Sequence, residues 1–366
     1  HLSDRRQRQM CIRDSLYTSP HLQSYTERFV FNDQEISEDD LIDLLNDVEK
    51  VLGDDEATVF EILTCAFYKY AENFRDNINI IESGLFYKTD PSSVFKANSC
   101  TLLGVCHIDH LHWLKDKTID GVIHEKTSTL LNSNIFINKQ VTEEIREKIE
   151  ISLTKNTSNK HYFGRDFNIS KSENGFIQFE DDIGKIILPE PNILGEHQLY
   201  NVSTSIAAAR KIFKVKDNDI KKGIQSIELK GRLQEIKKGK LKDIVGNNRL
   251  MIDGGHNISA SLSIANWIKN QNQEVNLICG MLKDKDHLEF MKSFEGLVKS
   301  VTLIDIPNQD SSILKEEFKN KIKDLNLTLN LSKSIKESIQ SLSKNENTII
   351  LCVGSLYLVG EILNLN

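Results

Sequence analysis

At 366 residues, with 39% hydrophobic and 27% charged residues, the chain has the composition of a globular protein and is too long for one ordinary core; two domains of roughly 100–200 residues are expected. No apolar run approaches the roughly 20 residues needed to cross a bilayer, which excludes a membrane-spanning class. A net charge of −7 argues against the clustered Lys and Arg of a phosphate-backbone binder, so neither nucleic acid nor membrane is expected as a partner.

The chain opens on a segment to set aside. From His1 to Ser15 it lacks an initial Met, is crowded with Arg and Gln, and shows no periodicity; without an apolar stretch it reads as non-native sequence joined at an end, not as a signal peptide. An amphipathic helix is predicted from Ser37, its N-cap, to Leu52, with Leu41, Leu44, Leu45, Val48 and Leu52 on one face. A second is predicted over Thr58 to Phe74, where Phe60, Leu63, Phe67, Tyr70 and Phe74 recur at spacings of three or four. The short apolar runs Ile78 to Ile81 and Thr101 to Val105 read as buried strands. Charged, Gly-bearing Lys221 to Lys240 reads as the linker.

Beyond it the pattern is regular. Strand-like runs at Leu250 to Ile252, Val275 to Cys279, Val301 to Ile306 and Thr348 to Val353 alternate with helical patterns near Ser259 to Lys269, His287 to Leu297, Leu314 to Lys323 and Ser334 to Leu342. Such alternation implies βαβ units and a parallel sheet. The six cysteines (Cys11, Cys65, Cys100, Cys106, Cys279 and Cys352) are scattered without a C-x-x-C pair, which points to a reducing cytoplasm.

Open α/β sheets bind ligands beyond the carboxyl ends of their strands, so the polar residues that end each apolar run are the candidates. These are Glu82, Asp109 with His110, Asp253, and Gly354 with Ser355. A strand-end carboxylate is more often a helix cap or a surface charge; here several occur in one chain. Glu82 and His110 suit a divalent metal, since carboxylate and imidazole can join water and phosphate oxygens in a six-coordinate shell. The competing reading is a hydrogen-bonded His in a turn. Asp253-Gly254-Gly255-His256-Asn257, between a strand and a helix, suits a nucleotide: small residues let the backbone approach, and Asp accepts ribose hydroxyl protons.

With these residues lined up, the chain resembles the folylpolyglutamate synthase and dihydrofolate synthase family, a branch of the Mur-type ligases. The resemblance rests on Leu16-Tyr17-Thr18-Ser19-Pro20-His21-Leu22 with Glu27-Arg28, on Thr58-Val59-Phe60-Glu61 through Thr64, Ala66 and Phe67, and on Glu82-Ser83-Gly84-Leu85 with Asp90. It continues through Asp109-His110, Glu125-Lys126, Gly195-Glu196-His197-Gln198 with Asn201, and Gly231-Arg232-Leu233-Gln234. The far half adds Asp253 to Asn257, Gly280 to Asp286, and Gly354-Ser355-Leu356-Tyr357-Leu358-Val359-Gly360.

The resemblance implies an α/β fold of two domains. A Mur-ligase-type central ATPase domain with a mostly parallel sheet flanked by helices would span 16–230, and a smaller Rossmann-like α/β domain 231–366. It implies an ATP-dependent ligase, working as a monomer, that joins L-glutamate to dihydropteroate or to a folate through an acyl phosphate. Ser19, Glu82 and His110 would hold magnesium; Asn201, Arg232, Asp253, His256 and Asn257 would hold ATP; Thr58, Phe60 and Asp90 would touch the pterin or pteroate. Lys126, at the position of the family's carbamylated lysine, and His110 would be catalytic.

The sequence departs from the family in three places, one of them the region from Leu114 to Gly121, which lacks the usual Leu-Gly pair, with Thr127-Ser128 after Glu125-Lys126 where Ala-Gly would be expected. The family's G-T-N-G-K-G-S-like phosphate loop has no counterpart ahead of Leu16, so the chain as given is expected to be inactive and its parent an enzyme. Phe86-Tyr87 stand where the family has Gly-Gly, which adds bulk and removes easy positive φ from the substrate loop. A fragment that binds nucleotide without turnover, or a cell-wall amino-acid ligase, are the alternatives. A dinucleotide dehydrogenase is poorer, because no G-x-G-x-x-G follows a predicted strand.

Overall fold

The computed structural model describes residues 14–108, 111–171, 176–191, 193–344 and 346–366. Its described residues divide into two compact units: those within 1–101, 105–135 and 140–160 make the first, and those within 102–104, 136–139 and 161–366 the second. None of its helices is long and apolar enough to cross a membrane, among the described residues.

The first unit begins with strand β1 (Asp14–Tyr17), followed by β2 (Phe29–Phe31), β3 (Gln34–Glu35), helices α1 (Glu38–Leu52) and α2 (Val59–Ala71), and β4 (Ile78–Ile81). The sheet order is β3-β2-β1-β4, with β1 antiparallel to β2 and parallel to β4. Asp14 and Ser15, the last residues of the segment set aside above, belong to β1 and pair with Ile78 and Asn79. The first helix starts where the sequence placed its cap, and Thr58, expected as the first residue of the second, is its N-cap. The Ser37 side chain accepts from the Asp40 N–H, and Thr58 and Glu61 form a reciprocal capping box. Their apolar faces cover the sheet with an aromatic core of Tyr17, Phe29, Phe31 and Phe67, joined by Leu41, Leu44 and Leu63.

β4 corrects one expectation. It forms over the residues expected, but Ile78 and Ile80 are 44% and 52% exposed; an apolar run at an edge position is strand-forming without being covered. The strands β5 (Thr101–Leu103), β6 (Asn134–Ile137) and β7 (Asn159–Tyr162) form a sheet in that order, with helices α3 (Ile119–Thr127) and α4 (Glu143–Ser152) between them in the chain.

In the second unit an antiparallel meander, β8 (Phe167–Lys171), β9 (Ile177–Asp181) and β10 (Gly184–Leu188), buries Phe167, Ile169, Ile177, Phe179, Ile186 and Leu188 on one face. Helices α5 (Glu196–Lys211) and α6 (Asp217–Ser226) follow, then β11 (Gln234–Glu235) and α7 (Lys240–Val245). The chain finishes as β12 (Arg249–Ile252), α8 (Ile258–Lys269), β13 (Glu274–Cys279), α9 (His287–Lys292), β14 (Ser300–Leu303), α10 (Lys315–Ile322), β15 (Leu329–Leu331), α11 (Ile335–Leu342), β16 (Thr348–Val353) and α12 (Leu356–Leu365).

The sheet order is β11-β12-β16-β13-β14-β15, parallel except for β11. Helices on both faces explain the continuous apolar strands: every residue of β16 is buried. One face packs Leu277, Cys279, Val301, Leu303, Leu351 and Val353 against Phe290, Phe294 and Phe318. The strand ends lie side by side. The Asp253 N–H donates to the Cys352 carbonyl at 2.9 Å, and that of Gly354 to the Gly255 carbonyl at 3.1 Å.

Candidate functional site

The parallel pairing of β1 and β4 sets Tyr17 opposite Ile81, so the residues leaving both strands emerge together. The Ser19 N–H donates to Glu82 Oε2 at 2.8 Å, and the Glu82 N–H to the Tyr17 carbonyl at 2.9 Å. Two expected metal-binding residues are thus adjacent and offer hard oxygen donors, the class that a magnesium or manganese ion takes. His110 and Asp109 lie outside the described residues. Among the described residues no three His, Cys, Asp or Glu gather as a preformed metal cluster.

The loop after Glu82 is built around Asp90. Its carboxylate, 8% exposed, accepts from the backbone N–H of Gly84 at 2.8 Å and of Ser92 at 2.9 Å. A Cβ on Gly84 would come within 2.8 Å of Phe60 Cε1 and 3.2 Å of Asp90 Oδ2, so only glycine allows the ring and the carboxylate to close on the loop. Two expected substrate residues, Phe60 and Asp90, therefore meet at Gly84. Thr58 is placed differently: its hydroxyl serves the first turn of α2, donating to Glu61 Oε2 at 2.7 Å and accepting from the Glu61 N–H.

Sequence reasoning missed the aromatic residues around Asp90. The Asp90 charge helps burial raise the phenols of Tyr68 and Tyr87, and Tyr68 donates to the Ser92 carbonyl at 3.2 Å and packs edge-on to Phe95. Phe86, bulky where the resemblance leads one to expect glycine, is buried against Leu114 and Val122. The Lys126 ammonium sits 5.7 Å from the centre of the Phe86 ring and 3.4 Å from the Leu85 carbonyl. Nearby, burial pushes the Cys106 thiol up to about 11, against the pull of the Lys126 charge.

In the second unit two of the expected nucleotide residues, Asp253 and Arg232, act on one another. Asp253, 7% exposed at the end of β12, accepts the Gly255 N–H at 2.7 Å on one oxygen and the Leu233 N–H at 2.8 Å on the other. Burial raises its carboxyl above the usual range; the Gly255 N–H, the Arg232 charge, the Leu233 N–H and the His197 charge all pull it back down. Asn201 on α5 accepts from Asn138 Nδ2 at 2.7 Å and donates to Gln198 Oε1 at 3.0 Å. Arg232 is exposed, in the turn that Leu233 ties to Asp253.

His256 and Asn257 have local partners. His256 Nδ1 lies 3.0 Å from the Gly254 carbonyl, and Asn257 caps α8 by accepting from the Ala260 N–H at 2.9 Å. The two glycines between have a packing reason as well as the expected ligand reason. A Cβ on Gly254 would stand 2.2 Å from Leu356 Cδ2, and one on Gly255 2.7 Å from Ala260 Cβ. The residue that sequence reasoning left off the list is His197, whose imidazole feels the charges of Asp253 and Arg232. Its signal, the Gly195-Glu196-His197-Gln198 block, was visible.

Residues 237–365 match the family described as dihydrofolate synthetase, C-terminal domain. The folylpolyglutamate synthase of Lacticaseibacillus casei is 23% identical over 95% of this chain and 82% of its own length. The dihydrofolate synthase/folylpolyglutamate synthase of Bacillus subtilis is 24% identical over 94% and 82%. Among solved structures, E. coli FolC in complex with DHPP and ADP superposes with a TM-score of 0.84 at 22% identity, covering 96% of this chain and 81% of that one. The Yersinia pestis bifunctional folylpolyglutamate synthase/dihydrofolate synthase complexed with AMPPNP and Mn ion gives 0.83 at 19%, covering 96% and 82%.

Proposed function

We propose that this chain, which belongs to the folylpolyglutamate synthase and dihydrofolate synthase family, is an ATP-dependent ligase that joins L-glutamate to dihydropteroate, to tetrahydrofolate, or to both. The observation that carries this reading is the sequence match to folylpolyglutamate synthase along 95% of the chain. In the reaction a substrate carboxylate oxygen takes the terminal phosphoryl group of ATP, and ADP leaves. The glutamate amine then attacks the acyl carbon, the C–O bond to phosphate breaks, and the amine gives up a proton as the amide forms. In-line phosphoryl transfer leaves the protein mainly positioning and charge neutralisation.

The chain's own residues divide those tasks. Phe60, with Tyr68 and Tyr87 near Asp90, offers aromatic faces on which a planar pterin can stack, and Thr58 lies at the entrance to the same helix. Asp90 holds the loop that carries this surface. In the second unit Asp253 keeps a lone pair on each oxygen beyond its backbone bonds, which suits ribose hydroxyls. Asn201 has one amide hydrogen left over, Arg232 supplies a phosphate-binding cation, and His256 and Asn257 line the same strand end. Ser19 and Glu82, with His110, would hold the magnesium ion, whose charge would offset that of the phosphates. Lys126 and His110 remain the proposed catalytic side chains. On this reading the protein is a cytoplasmic monomer without nucleic-acid or membrane partners, in keeping with its net charge of −7.

Isotope-labelled glutamate with ATP, magnesium and either dihydropteroate or tetrahydrofolate tests the reading. Mass spectrometry is expected to find the label in an amide of one of these acceptors, and the accepting compound identifies the substrate. Label confined to free glutamate with both, while nucleotide is consumed, would sink it.

A further inference from the structure

We propose that His197 is a further contact residue for the nucleoside part of the bound nucleotide, in the site that Asn201, Arg232 and Asp253 form. This rests on the nucleotide reading above and extends it to a residue that is not among the five expected positions.

Three independent features place the imidazole there. Gly195, at φ +105°, leads into α5, and a Cβ on it would stand 2.7 Å from His197 Cε1 and 3.0 Å from Nδ1. The ring is therefore folded back over the first turn of the helix, in the space that only a glycine leaves open. Asn201 follows His197 by four residues and so shares its helix face. Finally, the charged groups acting on the ring are Asp253 from the end of β12, Arg232 from the preceding turn, and Glu196 beside it on α5. Charged groups from three chain segments thus act on one half-buried imidazole.

Its neighbours are partly engaged within the protein. Asp253 holds two backbone N–H groups, and Asn201 is bonded to Asn138 and Gln198. Among the described residues, no hydrogen bond occupies a ring nitrogen of His197. Burial, first, and the Arg232 charge hold its proton affinity below the ordinary histidine range, against the opposing pull of Asp253 and Glu196. The ring is then neutral at pH 7, with one nitrogen donating and one accepting. A neutral donor and acceptor pair suits a base edge or a ribose hydroxyl, whereas the phosphates call for the neighbouring guanidinium.

The test uses the full chain with ¹³C-labelled histidine, ADP and magnesium. The Cε1–H resonance absent from H197Q belongs to His197. Saturating ADP is expected to move it, and calorimetry of H197A to show ADP binding about tenfold weaker, the loss of roughly one hydrogen bond at a binding surface. An unmoved resonance in a wild-type chain that binds ADP, with H197A binding equally well, overturns the proposal and leaves the ligase reading intact. A wild-type chain that binds no ADP removes the nucleotide reading and this proposal with it. If H197A does not fold, the wild-type resonance decides alone.

Discussion

Asp253 carries two loads. Its carboxylate joins the Gly231 to Leu233 turn to the Gly254-Gly255 loop by accepting one backbone N–H from each, and it stands where a ribose is proposed to bind. An amide in its place can accept with only one of its two heads, and its NH₂ would face a backbone donor. Asp253→Asn is therefore expected to cost about 1–3 kcal/mol of stability, the range for a buried polar group left unsatisfied, as well as ADP affinity. Urea denaturation together with calorimetry reads both; unchanged stability would mean that the two N–H bonds are not what holds the turn.

At this scale the sequence announced Asp253, Glu82 and Asn201 because each lies in a recognisable block, but it did not give their partners. His197 sat in such a block too. Its relation to Asp253 and Arg232 depends on contacts across tens of residues, which no local pattern encodes. The same holds for Tyr68 and Tyr87, whose relation to Asp90 appears only once the loop has closed on Phe60.

Among the elements, the parallel strands β12, β13, β14 and β16 were legible because helices cover both faces of their sheet and each is a short apolar run between polar turns. Helices α1 and α2 were legible through their apolar stripes, and α1 through its cap as well. The β8-β9-β10 meander was not read, although Phe167 and Ile169, Ile177 and Phe179, and Ile186 and Leu188 alternate at period two, and Gly184 at φ +132° follows the turn. β4 shows the limit of composition. Its apolar residues predicted a strand correctly and coverage wrongly, since coverage depends on what packs beside the edge.

The glycines between β12 and α8 illustrate a different ambiguity, because absent side chains serve close packing as well as ligand approach. Gly254→Ala would force its new methyl into Leu356, and overpacking of this kind costs about 1–3 kcal/mol. A fall in the urea midpoint without a change in slope is expected. Full retention of stability would show that α12 yields to the extra carbon.

At the level of the whole molecule, each compact unit brings together a proposed subsite. Phe60 and Asp90 gather in the first, and the second holds Arg232 beside Asp253 and, on α5, Asn201. The histidines give the fold a pH dependence of defined sign. Burial lowers the proton affinity of His161, His197 and His287, so below about pH 6.5 the unfolded chain binds protons that the fold does not. Their contribution to stability is complete above that pH and is lost as pH falls through the lowered values. Asp253, raised by burial, acts oppositely, its contribution being greatest at low pH and declining as pH rises through its raised value. His287 is separable from the site: its Nε2 lies 2.9 Å from the Leu282 carbonyl, and its ring packs edge-on to Phe318. Denaturation of His287→Gln between pH 7 and pH 5 is expected to lose less stability on acidification than wild type does; parallel curves would exclude His287 as a source.

The most direct test of the ligase reading is ADP release from ATP and magnesium, with dihydropteroate or tetrahydrofolate, in the presence and absence of glutamate. It is made on the 366-residue chain with each acceptor in turn. The predicted result is sustained ADP release only when a pteroate or folate acceptor and glutamate are both supplied. ADP release indifferent to glutamate, or none with either acceptor, would contradict the assignment.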